Sequence, residues 1–111
     1  MARDHRYDIL FEPVQIGPVT AKNRFYQVPH CNGMGYRDPT ALAVMRGVKA
    51  EGGWAVVCTE QVEFHRTSGV TPFIELRLWD HRDIPMIARM MDEIHAHDGW
   101  SRTLLSGIEW A

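Results

Sequence analysis

A cysteine in a polar loop is the first residue of this sequence with a chemistry to offer. Cys31 stands in the run Pro29-His30-Cys31-Asn32-Gly33. A thiolate is the reactive form of cysteine, and a thiol beside an imidazole in an accessible loop meets the conditions for deprotonation, nucleophilic attack or covalent attachment of a cofactor. A passive free thiol is the competing reading, because isolated cysteines commonly serve packing. Cys58 differs: it closes the apolar run from Trp54 to Val57 and reads as a small buried hydrophobe. His30 and Cys31 are too few to close a metal site, and no Cys-x-x-Cys or His-x-x-x-His spacing supports one, so no metal is expected. Glu60 and Gln61 are polar residues at the end of an otherwise apolar strand. Adjacent strand side chains point to opposite faces, so one of the pair faces the strand's ligand side and the other turns away. Capping a helix or solvating a loop is their plainer role. His65, His81, His95 and His97 share no useful spacing, and Trp54, Trp79, Trp100 and Trp110 are too dispersed for an aromatic cage.

The elements that must position these residues follow from local pattern. Residues 9–22 form a small hairpin around Ile16-Gly17-Pro18-Val19, where the glycine and proline suit a tight turn. Residues 24–28 are β-branched and aromatic and form strand one, stopped by Pro29. Residues 30–37 form a loop with Gly33 and Gly35. Asp38-Pro39 opens a helix in which Leu42, Met45 and Val48 recur at helical spacing, and Gly52-Gly53 ends it. Residues 54–62 read as strand two, buried on both faces in a parallel sheet. After a loop through Pro72, Asp83 and Pro85 introduce a second helix carrying Ile84, Ile87, Met91 and Ile94, which ends at Asp98-Gly99. Residues 103–109 supply a third strand. Strand alternating with helix is the signature of an α/β fold with a parallel sheet. In such sheets ligands gather at the C-terminal ends of the strands, which selects the Cys31 loop and the Thr59-Glu60-Gln61 end and makes them neighbours. Three strands and two helices leave open edges, so further chain is needed to cover them.

Composition narrows the function classes. Of 111 residues, 45% are hydrophobic and 23% charged, ordinary globular values, and the formal charge of -2 comes from interleaved acids and bases. No single-sign block favours nucleic acid or an anionic membrane as a partner. The apolar run before Cys58 is far short of the roughly 20 residues a spanning helix needs. The N-terminus has charges without an apolar segment behind them, so a cytoplasmic location is expected.

The stretches Asp8-Ile-Leu-Phe-Glu-Pro-Val-Gln-Ile-Gly-Pro18, Asn23-Arg-Phe-Tyr-Gln-Val-Pro-His-Cys31 and Val48-Lys-Ala-Glu-Gly-Gly-Trp-Ala55 together carry a resemblance. From about Arg3 to Gly99 the chain resembles the N-terminus of the trimethylamine and dimethylamine dehydrogenases, flavoproteins of the Old Yellow Enzyme type. The resemblance implies an incomplete TIM (β/α)8 barrel, with residues 1–111 forming the N-terminal hairpin and first two to three βα units of an FMN-binding domain. It implies that Cys31 is bonded through sulfur to the 6-position of FMN, with Val28, Pro29 and His30 lining the flavin. Gln61 stands where the trimethylamine enzyme has an aromatic Tyr. A secondary ammonium has two N–H donors and gains from a carbonyl acceptor, so Gln61 points to dimethylamine. Glu109, in Gly107-Ile108-Glu109, stands as the counterpart of a glutamate near the flavin pyrimidine. Trp100 to Leu105 put more residues before that motif than the family pattern has.

The implied activity is oxidation of a secondary amine to a primary amine plus aldehyde, electrons leaving FMN for an acceptor. A 4Fe-4S cluster, an ADP site, an electron-transfer flavoprotein partner and a homodimer are implied for the parent protein, the first two outside this chain. The alternatives are a NAD(P)H-dependent flavin or ene-reductase with non-covalent FMN, and a truncated inactive fragment.

Overall fold

The computed structural model describes residues 2–67 and 75–97. A 3-10 helix over His5–Phe11 comes first, started by Asp4, whose side chain accepts the Arg6 N–H. That helix is absent from the expected order, in which the hairpin begins at residue 9. The hairpin itself is shorter, with β1 (Val14–Ile16) antiparallel to β2 (Val19–Ala21) and Ile16 opposite Val19. Gly17 at φ 58 followed by Pro18 matches the two-residue turn that keeps the twist of the flanking strands.

Strand one appears as β3 (Tyr26–Gln27), and strand two as β4 (Val56–Val57), parallel in the register Tyr26 to Val56 and Gln27 to Val57. Between them run the short turn of helix α1 (Met34–Arg37) and helix α2 (Pro39–Glu51). The Asp38 side chain accepts the Ala41 N–H at 2.9 Å and Pro39 occupies the first turn, so the expected start signal is the one used. Asn23 fastens the beginning of β3 to the end of the α2 crossover: its amide donates to the Gly53 carbonyl at 2.8 Å while its oxygen accepts the Phe25 N–H at 3.0 Å.

The inner face of α2 differs from the expected one. Val48 is 56% exposed, and the buried positions are Leu42, Ala43, Arg46, Gly47 and Ala50. The absence of a side chain at Gly47 lets the backbone come close to helix α3 (Ile84–His95); a Cβ there would meet Glu93 Cβ at 3.4 Å. On α3, Met90 and Ile94 are buried while Ile84 is exposed, so Ile84 drops out of the expected stripe. The helix ends at His95, and residues 98 and 99 lie outside the described residues. So do residues 103–109, including Glu109.

The strand expected over 54–62 pairs in two places. After β4 the chain runs buried to β5 (Val62–Glu63), which pairs in parallel with β6 (Leu76–Arg77), a strand without any counterpart in the expected order. From β6 the chain enters a 3-10 turn, His81–Asp83, closed by a capping box between Asp80 and Asp83. Asp83 accepts Arg77 Nε at 3.0 Å and the N–H groups of Trp79 and Asp80, tying the start of α3 back to β6.

β4 lies at the centre of the packing. Val57 joins Leu42, Ala43, Ala50, Val62, Leu76, Met90 and Ile94 under the helices, whereas Val56 and Cys58 join Ala21 and Ala55 on the other side. Strand alternation thus gives both faces an apolar layer, as expected for a parallel strand. Ile94→Ala should cost about 2–5 kcal/mol, because Ile94 is fully buried and its loss leaves a cavity. Val48→Ala on the outer face of α2 should stay within about 0.5 kcal/mol. Denaturant unfolding of the two variants checks the pair.

Candidate functional site

The loop that follows β3 carries Val28, Pro29, His30 and Cys31 in succession, all exposed, beyond the C-terminal end of the parallel pair. Strand β4 and its continuation bring residues 59–61 to the same end. The N–H of Gln61 donates to Cys31 Sγ at 3.3 Å, so the two places that the sequence selects are in contact. Thr59 and Glu60 are buried and Gln61 half-buried.

Glu60 turns away from solvent and binds backbone. Its Oε1 accepts the N–H of Gly35 at 2.9 Å and of Leu76 at 2.9 Å, and its Oε2 accepts the N–H of Asn32 at 3.3 Å. It reaches the first turn of α1 through Gly35 but also a loop and a strand, so it ties separate backbone segments together in place of solvating a loop. Gly35 is the residue that admits the carboxyl group. A Cβ there would overlap Glu60 Oε1 and lie 2.7 Å from Leu76 Cβ.

Arg46 is the member of the site that sequence reasoning missed. Its Nη1 donates to Gln27 Oε1 at 2.8 Å and its Nη2 to the His30 carbonyl at 2.6 Å, while its Nε is buried without a hydrogen-bond partner among the described residues. It is 1% exposed, and burial pulls its guanidinium down from the ordinary value, opposed by the charges of Glu60, Cys58 and Cys31. One signal was available: position 46 lies four residues after Leu42 and four before Ala50, on the same helical face.

The electrostatics of Cys31 correct one expectation. Although the residue is exposed, shielding of its sulfur from water is the largest cause of a thiol raised above the ordinary value. The Gln61 N–H lowers it, Glu75 and Glu60 raise it, and Arg46 lowers it. His30 contributes its carbonyl to Arg46. Cys58 is fully buried and its Sγ donates to the Tyr26 hydroxyl at 3.2 Å. Burial above all pushes that hydroxyl up to about 12.

A separate groove of about 200 Å³ lies at the start of β3, lined by Val14, Ile16, Asn23, Arg24, Phe25, Tyr26 and Val56, and includes none of the loop around Cys31. Among the described residues no group of three His, Cys, Asp or Glu side chains is placed to hold a metal ion. Among them, too, no helix is long and apolar enough to cross a membrane.

Residues 9–102 match the sequence pattern of the NADH:flavin oxidoreductase / NADH oxidase family. The chain belongs to this family. Within it, the chain is 50% identical over 97 residues to a dimethylamine dehydrogenase of Hyphomicrobium sp. (strain x), an alignment covering 87% of this chain and 13% of that protein. It superposes on histamine dehydrogenase from Rhizobium sp. 4-9 with a TM-score of 0.83 and 66% identity, covering 89% of this chain and 15% of that one. A 6-hydroxypseudooxynicotine amine oxidase from Pseudomonas geniculata N1 gives 0.82 at 46% identity, covering 90% and 15%. Old Yellow Enzyme from Pichia sp. AKU4542 gives 0.75 at 18% identity, covering 84% and 25%, a likeness of fold alone. The fold of this flavin oxidoreductase family member is therefore part of a TIM (β/α)8 barrel, and the chain spans about one-seventh of the length of its amine-oxidising relatives.

The two cysteines should separate chemically. In protein made without flavin, a maleimide should modify Cys31 in the folded state and Cys58 only on unfolding. Because the folded thiol is raised, the rate at neutral pH should fall below that of free cysteine and climb through a midpoint at higher pH. Peptide mapping after timed labelling across a pH series reads both.

Proposed function

We propose that this chain is the N-terminal part of a flavin-dependent amine oxidoreductase in which Cys31 anchors FMN covalently. The observation that carries the reading is an exposed thiol held by the Gln61 N–H beyond the C-terminal ends of β3 and β4. Family membership supplies the flavin, and relatives at 46–66% identity bear names of enzymes that oxidise amines.

The residues present suit such a group. Val28, Pro29 and His30 offer an exposed edge of backbone and apolar side chain, and the buried Arg46 fixes the His30 carbonyl from behind. Attachment of Cys31 at the ring's 6-position would replace its S–H bond and one ring C–H bond by a C–S bond, with two protons and two electrons passing to an acceptor such as dioxygen. Once bound, the isoalloxazine supplies a two-electron acceptor for the amine, and the protein supplies orientation. The overall reaction takes an amine and water to an aldehyde, a smaller amine or ammonia, two protons and two electrons. The parent protein would pass those electrons to a 4Fe-4S cluster and an electron-transfer flavoprotein, and would bind ADP and dimerise, through segments beyond this chain. Glu109 is proposed to approach the flavin pyrimidine. A cytoplasmic location suits a protein of this kind.

Gln61, beside Cys31, is the substrate-facing residue in this reading. Dimethylamine suits it because a secondary ammonium carries two N–H donors for a carbonyl oxygen. A primary ammonium carries three and suits the same oxygen equally well. The higher identity to histamine dehydrogenase, 66% against 50%, favours a primary amine bearing a ring as a second reading.

Denaturing the full-length protein should leave its yellow chromophore on the peptide containing Cys31, heavier by one flavin nucleotide, and Cys31→Ala should release it. A colourless wild-type polypeptide ends the covalent reading. Anaerobic bleaching of the flavin by dimethylamine, by histamine or only by NADPH then selects among secondary amine, primary amine and nicotinamide-dependent chemistry. Gln61→Tyr should weaken binding of either amine; unchanged preference and affinity would remove Gln61 from the substrate site.

A further inference from the structure

We infer that Glu60 is the positioning residue of the Cys31 anchor: by taking three backbone N–H groups, two from residues 32–35 and one from Leu76, it fixes the loop so that the sulfur meets the flavin ring. The inference rests on the covalent reading above and adds to it a residue whose side chain touches neither substrate nor Cys31.

Three observations carry it. Glu60 is 0% exposed, and both its oxygens are used, by Gly35 and Leu76 on one and by Asn32 on the other. Asn32 adjoins Cys31, and Gln61, which gives its N–H to the Cys31 sulfur, adjoins Glu60. Residues 60 and 61 therefore grip residues 31 and 32 through two bonds of opposite sense, a carboxyl oxygen accepting from one and an N–H donating to the other. Gly35, finally, leaves the space that the carboxyl group occupies; a Cβ there would also stand 2.8 Å from Leu76 Cα, a backbone atom that cannot step aside.

Attachment needs the sulfur on one ring carbon, and small misplacement of a reacting atom slows such steps steeply. Glu60→Gln isolates the effect. The amide oxygen can still accept from Gly35 and Leu76, but the amide NH2 then faces the Asn32 N–H, donor against donor, and the bond nearest Cys31 is lost.

The experiment uses the full-length protein, made without flavin and reconstituted with FMN, following non-covalent binding and covalent attachment separately. Glu60→Gln should bind FMN yet attach it at a rate lower by roughly tenfold to a hundredfold. The same variant should move the pH midpoint of Cys31 alkylation by iodoacetamide downward, because a charge that holds the thiol up is gone. Attachment at the wild-type rate with an unmoved alkylation profile overturns the inference. If Glu60→Gln does not fold, amide exchange in the wild-type protein decides: Asn32, Gly35 and Leu76 should be protected together, and exchange at the rate of open loop amides overturns it. A wild-type protein that never attaches flavin refutes the covalent reading and this inference's role in it. Alkylation and amide exchange then still report whether the grip on the loop exists.

Discussion

A carboxyl group out of reach of water must find its hydrogen-bond partners within the protein, and Glu60 finds three of them in two pieces of chain far apart in sequence, residues 32–35 and Leu76. Leaving a buried acceptor unmade costs about 1–3 kcal/mol, so the loop after β3, the turn of α1 and the start of β6 are each held to positions that satisfy it. Other features then follow. Position 35 has to be glycine, because any side chain would enter the space of the carboxyl group. β6 has to lie close enough for Leu76 N–H to donate, which brings Arg77 alongside Glu63 in the β5 to β6 register. The chain leaving β6 is then fixed by Asp83, which accepts from Arg77 and from the backbone of Trp79 and Asp80 before α3 begins. The helix that covers the core is thus oriented, through one strand, by the same group that seats the loop of Cys31.

Arg46 does the complementary work on the other side of that loop. A guanidinium has donors only, and two of them meet Gln27 Oε1 and the His30 carbonyl at the end of β3. Burial opposes its charge, and the nearby Glu60 supports it. The loop is therefore held by its N–H groups from the acidic side and by a carbonyl from the basic side. A Gly-containing segment stays in one conformation there without regular secondary structure of its own.

Much of this was legible where the signal is local. Asp38 with Pro39 states a helix start in two adjacent residues, Gly17 with Pro18 states a turn, and an unbroken apolar run from Ala55 to Cys58 states a strand covered on both faces. Residues 31 and 61 were placed together because parallel sheets collect their loops at one end. What escaped depended on partners distant in sequence. Arg46 shares the helical face of Leu42 and Ala50, but its role shows only when Gln27 and His30 are brought to it, nineteen and sixteen positions away. Val48 reads as core by spacing, yet the helix turns its small residues inward because α3 passes close to Gly47. β6 offers only Leu76 and Arg77, a pair too short for any periodicity, and it is a strand because β5 and Glu60 make it one. The helix over His5–Phe11 hides its signal in Asp4, a single cap with no apolar stripe behind it.

The thiol chemistry shows why placement outweighs intrinsic reactivity here. In a site that activates a cysteine, a neighbouring imidazole or cation lowers the thiol. At Cys31 the first influence is shielding from water, which raises it, and the carboxyl groups of Glu75 and Glu60 add to the rise while Arg46 only partly offsets them. Such a sulfur has little to gain from competing for electrophiles in solution, and what distinguishes it is that it is accessible and anchored. Cys58 is the contrast within the same protein. One residue past Val57, it falls on the side packed with Ala21 and Ala55, and it donates a hydrogen bond to the Tyr26 hydroxyl. The alternation of β4 removes that thiol from solvent, while the loop after β3 presents the other at the end of the sheet where ligands bind. Reactivity is divided between the two by topology, and a loop held by buried polar groups of both signs is what keeps the division fixed.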